Sequence, residues 1–313
     1  MRIVYFIILF TFVCNYAKNQ GLTNSLNNLS HENLLDNPWF TVNQRGQSSY
    51  TELNKYTVDR WRTEGNSADF SVDIVSDGVQ LKRNVSEGYF TLCQFNESSF
   101  LIPGKEYTLS ILYSDGTVKF KTFVVPIYEQ SYLRIAFTQN YMGCQAIIDR
   151  KSSGYYSTFI IHDGDFSISP IIKALKVELG SVSTLAMDTA PNYQQELAKC
   201  QRYFYRYKAA HTGFYFGLAI AWNTNKMSMV LPVPCMRSTV TITPSDFSDF
   251  LASKGASNVS PHNITNFENL GQSEQNHASG LLITTSESDL TSGDIYVLKA
   301  VNSSAYIDFS ADL

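Results

Sequence analysis

The chain carries little charge and no concentrated charge of either sign, which excludes several kinds of partner. Charged residues make up 17% of its 313 residues, and the net charge is -4. Lys and Arg are scattered, so no basic surface is predicted that would displace the counterions of a nucleic acid. Apolar residues make up 44% of the chain, so it is expected to fold around real cores. Nucleic acid is therefore not an expected partner.

Sequence motifs for metal binding and for common catalytic chemistry are also missing. The five cysteines form no CxxC pair and the five histidines show no HExxH spacing, so neither a zinc site nor a disulfide framework is predicted. A Gly-x-Ser-x-Gly elbow and a phosphate-binding glycine loop are absent. Asp163-Gly-Asp165 has carboxylates for calcium or for glycoside hydrolysis, but Asp and Gly are the usual residues of a solvated turn. We predict no cofactor, no metal and no enzymatic activity, and we expect buried, unreactive thiols.

One segment combines a positive start with an apolar run. Residues 1–17 begin with Arg2 and continue with the apolar residues 3–13, as is typical of a secretory signal. The run is too short to span a bilayer, which needs about 20 residues. No other segment approaches that length, so no membrane span is predicted. Residues 18–32 are rich in Asn, Ser and Leu and are predicted to be a linker.

Aromatic residues are abundant, with 19 Tyr, 20 Phe and 3 Trp, and this enrichment favours strands. Residues 70–74 and 79–81 alternate around the turn Ser76-Asp77-Gly78, which predicts a hairpin. A second hairpin is predicted from residues 107–113 and 117–124, because the Asp115-Gly116 pair between them is typical of hairpin turns. Further strands are predicted at 133–138, 155–161 and 171–178.

A short helix is predicted between this strand-rich region and a second one. Thr189 is expected to cap it, Pro191 suits its first turn, and apolar residues recur at helical spacing within 192–207. In this second region, strands are predicted at 214–221, 226–233 and 238–243. A polar stretch follows at 246–279, and further strands are predicted at 281–285, 294–301 and 305–309. The predicted fold class is all-β: a jelly-roll β-sandwich at 33–188, a connecting helix at 189–208, and a second small β-sandwich-like domain at 209–313.

Four blocks of sequence stand out in order along the chain. The first block is NLLDNPWFTVNQRG at 33–46 with YTVDRW at 56–61, and the second is GKEYTLS at 104–110. The third is KVELGSVST at 176–184 with ELAKCQRYF at 196–204. The fourth is LPVPCMR at 231–237 with AYIDFSADL at 305–313. Together the blocks cover most of residues 33–313, and they resemble a bacteriophage tail fibre or tail protein with a carbohydrate-binding-module-like jelly roll and a small C-terminal fibre head.

This resemblance implies a non-enzymatic tail or fibre component of the virion that attaches to a bacterial surface glycan or another receptor. It also implies other tail proteins as partners and assembly as a homotrimer, in which weak sites gain effective concentration. The signal-like start favours a different hypothesis, a secreted lectin-like binding protein outside a virion. Two further hypotheses are a purely structural tail component without a ligand and a glycan-degrading enzyme.

A glycan site is expected to combine exposed rings with a few polar groups near strand ends. Trp39 and Trp61 lie in apolar, strand-like contexts and are interpreted as core residues. The glycan-binding candidates are Tyr128, Glu129, Tyr132, Tyr155 and Tyr156 in the first domain and Trp222, Asn223 and Asn225 in a turn of the second.

Overall fold

The structure, a computed structural model, describes residues 32–67, 69–84, 88–127, 132–152, 154–162, 169–254, 261–271 and 278–312. These residues form two compact units. The first unit takes in described residues within 32–40, 48–55 and 62–190, and the second takes in 41–47, 56–61 and 191–312. The signal-like residues 1–17, the predicted linker up to residue 31, and the Asp163-Gly-Asp165 turn lie outside the described residues.

The first unit is a sandwich of two antiparallel sheets. Its strands are β1 (Ser49–Tyr50), β2 (Arg62–Gly65), β3 (Phe70–Val75), β4 (Gly78–Arg83), β5 (Phe90–Asn96), β6 (Glu106–Tyr113), β7 (Val118–Val124), β8 (Leu133–Phe137), β9 (Cys144–Arg150), β10 (Tyr156–His162) and β11 (Ile171–Leu179). One sheet has six strands in the order β1-β3-β4-β11-β6-β7, and the other has five in the order β2-β5-β10-β9-β8. The predicted all-β class is confirmed.

The six-stranded sheet is covered on the side away from the sandwich core by chain segments that flank the strands. Leu112 and Ala174 pack there against Leu185, in a short 3-10 helix at Leu185–Met187, and against the partly buried Trp39. Trp61 is completely buried. Trp61 is therefore a core residue, as interpreted from the sequence, whereas Trp39 packs against this cluster and keeps part of its surface exposed.

Both predicted hairpins of the first unit are present, as β3–β4 and β6–β7. In the second, Asp115 Oδ1 accepts from Thr117 N at 2.8 Å, and Gly116 takes a φ of +85°. Gly78 in the first hairpin has a φ of +130°, and a Cβ there would lie 2.1 Å from the carbonyl oxygen of Ile172. Gly78 is therefore needed both for its backbone conformation and for close approach to β11.

Replacing Gly78 by alanine is expected to lower the free energy of unfolding by about 2 kcal/mol, because the new Cβ meets backbone in a strained conformation. Gly116→Ala is the matched control, since its φ is also positive but no atom lies within 4 Å of the added Cβ. The control is expected to cost about 1 kcal/mol. Urea unfolding of both variants measures the difference, and equal losses would contradict the close approach.

The second unit contains the helix and the remaining strands. These are α1 (Tyr193–Gln201), β12 (Phe204–Lys208), β13 (Tyr215–Ala221), β14 (Lys226–Pro232), β15 (Thr241–Pro244), β16 (Phe250–Lys254), β17 (His262–Gly271), β18 (Ala278–Thr285), β19 (Ile295–Ala300) and β20 (Tyr306–Ser310), with a 3-10 helix at Phe247–Asp249. Six strands close into a barrel in the order β13-β14-β18-β17-β16-β19, and β12, β20 and β15 form a separate small sheet. The sequence pattern predicts the strands but not this closure.

The predicted helix was too long and its cap was misplaced. The helix ends at Gln201, and its N-cap is Asn192, whose side chain accepts from the backbone N–H groups of Gln194 and Gln195; Thr189 does not cap it. From Phe204 the chain alternates and pairs with β20, so the residues predicted as the last helical turns are a strand. Pairing across the sheet outweighs the helical spacing of the apolar residues here.

The polar stretch predicted at 246–279 contains two barrel strands, β16 and β17. In β17 the side chains of His262, Ile264 and Phe267 are buried, whereas the residues between them are largely polar and exposed or partly exposed. A register shift between Ile264 and Asn266 breaks the strict alternation. Because the alternation of apolar and polar residues is interrupted here, the sequence pattern did not predict this strand.

Candidate functional site

The five-stranded sheet of the first unit has apolar side chains on both faces. Because successive strand residues point to opposite faces, the fully buried Leu92, Ile148 and Ile160 share the face toward the sandwich core. The opposite, outer face carries a second hydrophobic cluster built on Cys93, Ile147 and Phe159, with Phe95 and Ile161 packed against it. An apolar floor on the outer face of a sheet is a surface on which a ligand can bind.

A pocket of about 300 Å³ lies on this outer face. Phe159 and Ile161 supply apolar lining, and two tyrosines, Tyr89 and Tyr132, add aromatic surface with exposed fractions of 47% and 54%. The polar lining residues are Glu64, Thr91, Arg134, Asp149, Lys151 and Ser157. Apolar surface with a few polar groups is the usual composition of a small-molecule site.

Asp149 organises one part of the pocket. It is almost fully buried, and its two oxygens accept from different partners: Tyr132 Oη at 2.7 Å and Arg134 Nε at 3.2 Å. These hydrogen bonds to Asp149 raise the pKa of the Tyr132 phenol and of the Arg134 guanidinium. Asp149 therefore holds the Tyr132 ring and the Arg134 guanidinium in place, although the Tyr132 and Arg134 side chains are both largely exposed to solvent.

Cys93 lies in the apolar cluster of the same face and is no nucleophile. Burial, followed by the nearby charge of Glu64, raises the pKa of the Cys93 thiol far above its ordinary value. A thiol held in its protonated form is a poor nucleophile and metal ligand. Cys144 and Cys200 are also buried. The burial of these three thiols agrees with the expectation from the sequence.

The structure separates the sequence-predicted candidates of the first unit. Tyr132 lines the pocket, and Tyr155 is 38% exposed on the outer face just before β10. Tyr156 was wrongly placed as a surface contact: it points to the opposite face, is 3% exposed, and packs against Phe100 with ring centroids 6.1 Å apart. Tyr128 and Glu129 lie outside the described residues.

The candidates of the second unit lie in the turn between β13 and β14. Asn223 Oδ1 accepts from the backbone N–H groups of Asn225 at 3.0 Å and Lys226 at 2.8 Å, and the Asn225 carbonyl accepts from Thr285 N. These contacts give Asn223 and Asn225 a role in building the turn. Trp222 lies beside this turn and is 54% exposed, so its ring is accessible to a ligand.

Sequence reasoning missed all six polar residues of the pocket, namely Glu64, Thr91, Arg134, Asp149, Lys151 and Ser157. Ser157 lies in a predicted strand, and alternation with its neighbours would have assigned it to one face. Glu64 and Thr91 lie in β2 and β5, and Lys151 directly follows β9, three strands that were not predicted. Their position in one pocket depends on strand order, which no local pattern of the sequence reveals.

Across the part of the chain that the structure describes, no group of three or more His, Cys, Asp or Glu side chains is arranged to hold a metal ion. Among the same residues, no helix has the length and apolar character needed to cross a bilayer. A scan against protein-family models and a search of curated proteins each found no match to this chain.

Proposed function

We propose that the protein is a non-enzymatic attachment protein that binds a bacterial surface glycan in the outer-face pocket of the five-stranded sheet. The observation that carries the proposal is the pocket itself, in which the exposed Tyr132 ring is fixed by Asp149 next to an apolar floor. Tyrosine offers an apolar face to a sugar ring and a hydroxyl to its polar edge. A volume of about 300 Å³ suits a short segment of a glycan.

Asp149 supports binding rather than hydrolysis. A glycosidase needs one carboxyl group free to donate a proton and a second to act as base or nucleophile. The pocket holds two carboxylates, Glu64 and Asp149, but both oxygens of Asp149 already accept hydrogen bonds from Tyr132 and Arg134. Both Asp149 oxygens are therefore engaged by side chains of the pocket rather than open to a sugar.

Together with the resemblance of the sequence blocks to phage tail proteins, the pocket supports a role as a tail or fibre component of a virion. In this role several copies, a trimer by the resemblance, present the pocket to a repetitive cell surface. Binding of a single short glycan segment is then weak, and the assembly gains its avidity from simultaneous contacts. A secreted lectin-like protein with the same pocket is the second candidate, favoured by the signal-like residues 1–17.

The decisive test removes the Tyr132 ring. Tyr132→Ala is expected to weaken binding to an array of bacterial polysaccharides at least tenfold, because it deletes the stacking surface and one partner of Asp149. Tyr193→Ala is the matched control, since Tyr193 is 48% exposed at the start of α1 and outside the pocket. Equal binding by both variants, or no polysaccharide bound by the wild type, would refute the pocket as a glycan site.

Two further readouts on the same preparations separate the candidate functions. Light scattering is expected to give a trimer, and a monomer would favour the secreted lectin-like protein while leaving the pocket in place. Release of reducing ends from a bound polysaccharide, abolished by Glu64→Gln, would identify an enzyme instead. Wild-type protein that binds without releasing reducing ends is the result we expect.

A further inference from the structure

Lys151 stands between two exposed tyrosines at one end of the pocket. Its backbone N–H donates to the Tyr155 carbonyl at 2.8 Å, which extends the β9–β10 pairing by one residue and places Tyr155 opposite Lys151. On the other side, the pairing of Leu133 with Arg150 brings Tyr132 next to Lys151. Tyr132 and Tyr155, two of the glycan-binding candidates predicted from the sequence, therefore flank Lys151, which was not a candidate.

The Lys151 ammonium lacks a partner among the residues that the structure describes: no ion pair or side-chain hydrogen bond joins it to any of them. The nearby carboxylate, Asp149, is held by Tyr132 and Arg134. Glu64 lines the pocket from β2, three strands away from β9, which sets their backbones on the order of 14 Å apart. Lys151 therefore brings to this end of the pocket an ammonium that no described carboxylate pairs with.

Ser157 adds a buried polar group without a partner at the same end. It lies opposite Asp149 in the β9–β10 pairing, so Lys151 is its diagonal neighbour on the same face. The residue is 1% exposed, lines the pocket, and its Oγ makes no hydrogen bond with any described residue. A buried hydroxyl left without a partner costs stability, and a ligand atom that accepts its proton would recover that cost.

We propose that the pocket prefers an anionic sugar, whose carboxylate or phosphate is bound by Lys151 and Ser157 while its ring lies against Tyr132 or Tyr155. This inference rests on the proposed function and adds the chemical class of the ligand. A lysine ammonium with a serine hydroxyl suits an anionic oxygen, because both donate and a neutral sugar hydroxyl gains less from the charge. The sugar ring would keep its apolar face on the phenol rings, as a neutral sugar would.

The test compares matched ligands by calorimetry on the full chain. An oligogalacturonate, its methyl ester and a sugar phosphate of similar size are titrated into wild-type protein and into Lys151→Gln. We expect the wild type to bind an anionic ligand at least tenfold more tightly than the ester, and Lys151→Gln to lose that preference. The carboxylate and phosphate arms show which anion is preferred. Lys121→Gln, at an exposed lysine of β7 in the other sheet, is expected to change nothing.

Ser157→Ala gives a readout that a structural role would not produce. The substitution removes a buried hydroxyl that lacks a partner, so the variant is expected to be at least as stable as the wild type while its affinity for the anionic ligand falls several-fold. Equal wild-type affinity for the acid and its ester overturns the anionic preference but leaves the proposed glycan site standing. Wild-type protein that binds none of these sugars or the polysaccharides overturns both.

Discussion

Replacing Lys176 by alanine is expected to lower the free energy of unfolding by about 3–5 kcal/mol, because it leaves a buried carboxylate without its cation. The Lys176 and Glu178 side chains are both 0% exposed, and their charged atoms lie 3.4 Å apart. The ammonium also donates to Thr184 Oγ1 at 2.7 Å and pairs with Asp188 at 2.5 Å. Thr184 in turn donates to both Glu178 oxygens, from its N–H at 2.8 Å and its hydroxyl at 2.6 Å.

A surface lysine of the same strand provides the matched control. Lys173 pairs with Asp77 at 2.7 Å, but the two side chains are 36% and 42% exposed. Lys173→Ala is therefore expected to cost less than about 1 kcal/mol. Urea unfolding at neutral pH measures both variants. If Lys176→Ala costs no more than Lys173→Ala, the buried network does not stabilise β11 and the segment that follows it.

This network gives a physical meaning to one of the four sequence blocks. The block at 176–184 contains Lys176, Glu178 and Thr184, the three side chains that bond to one another across the turn after β11. The residue types were visible in the sequence, but their pairing was not, since Lys and Glu two residues apart in a strand normally face solvent. The three side chains pair with one another because the folded chain buries them, and this burial is not visible in the block itself.

The hairpins were predictable because their determinants are local. Asp115-Gly116 fixes the turn, and strands of alternating pattern flank it within a few residues. The strands β5 and β9 were missed for the opposite reason. Most residues of β5 are buried on both faces, and the polar residues Gln145 and Asp149 interrupt the apolar pattern of β9, so neither shows a clean period of two.

The candidate site was only half predictable for a related reason. Tyr132 and Tyr155 were found because exposed aromatic residues near strand ends suggest binding surfaces. Lys151 and Ser157 gain their roles from the register between β9 and β10 and from the burial of the Ser157 hydroxyl. Neither property belongs to a single residue type. Tyr156 was misassigned because two adjacent tyrosines cannot share one face of a strand.

Asp59 is expected to make the second unit less stable as the pH rises from 4 to 7. Its side chain is 1% exposed and accepts from Gln44 N at 3.2 Å, Gln44 Nε2 at 2.6 Å and Arg45 Nη1 at 3.5 Å. Arg45 also pairs with the buried Asp312 at 2.9 Å, so one guanidinium serves two carboxylates. Burial, against the opposing effects of Arg45 and Gln44, raises the pKa of Asp59 from its ordinary value of 3.8 to about 6.

The sign of the effect follows from proton binding. Between the unfolded pKa of 3.8 and the folded pKa of about 6, the folded chain holds the Asp59 proton more tightly than the unfolded chain. This contribution to stability is complete below the unfolded pKa and is lost as the pH rises through the folded pKa. Asp59→Asn cannot titrate. Its free energy of unfolding relative to the wild type is therefore expected to rise by about 2 kcal/mol between pH 4 and pH 7.

Asp73→Asn is the control, because the pKa shift of Asp73 has the opposite sign. Burial, the largest single effect, raises the pKa of Asp73, but the hydrogen bonds from Lys82 and Ser49 and the Lys82 charge together outweigh it, so the folded pKa lies below 3.8. This partly exposed carboxylate therefore contributes stability that is almost complete at pH 4. The difference between its variant and the wild type is expected to stay nearly constant from pH 4 to pH 7. Urea unfolding at pH 4, 5, 6 and 7 follows both variants. Parallel pH curves for Asp59→Asn and the wild type would show that Asp59 stays ionised in the fold, with Arg45 compensating fully for its burial.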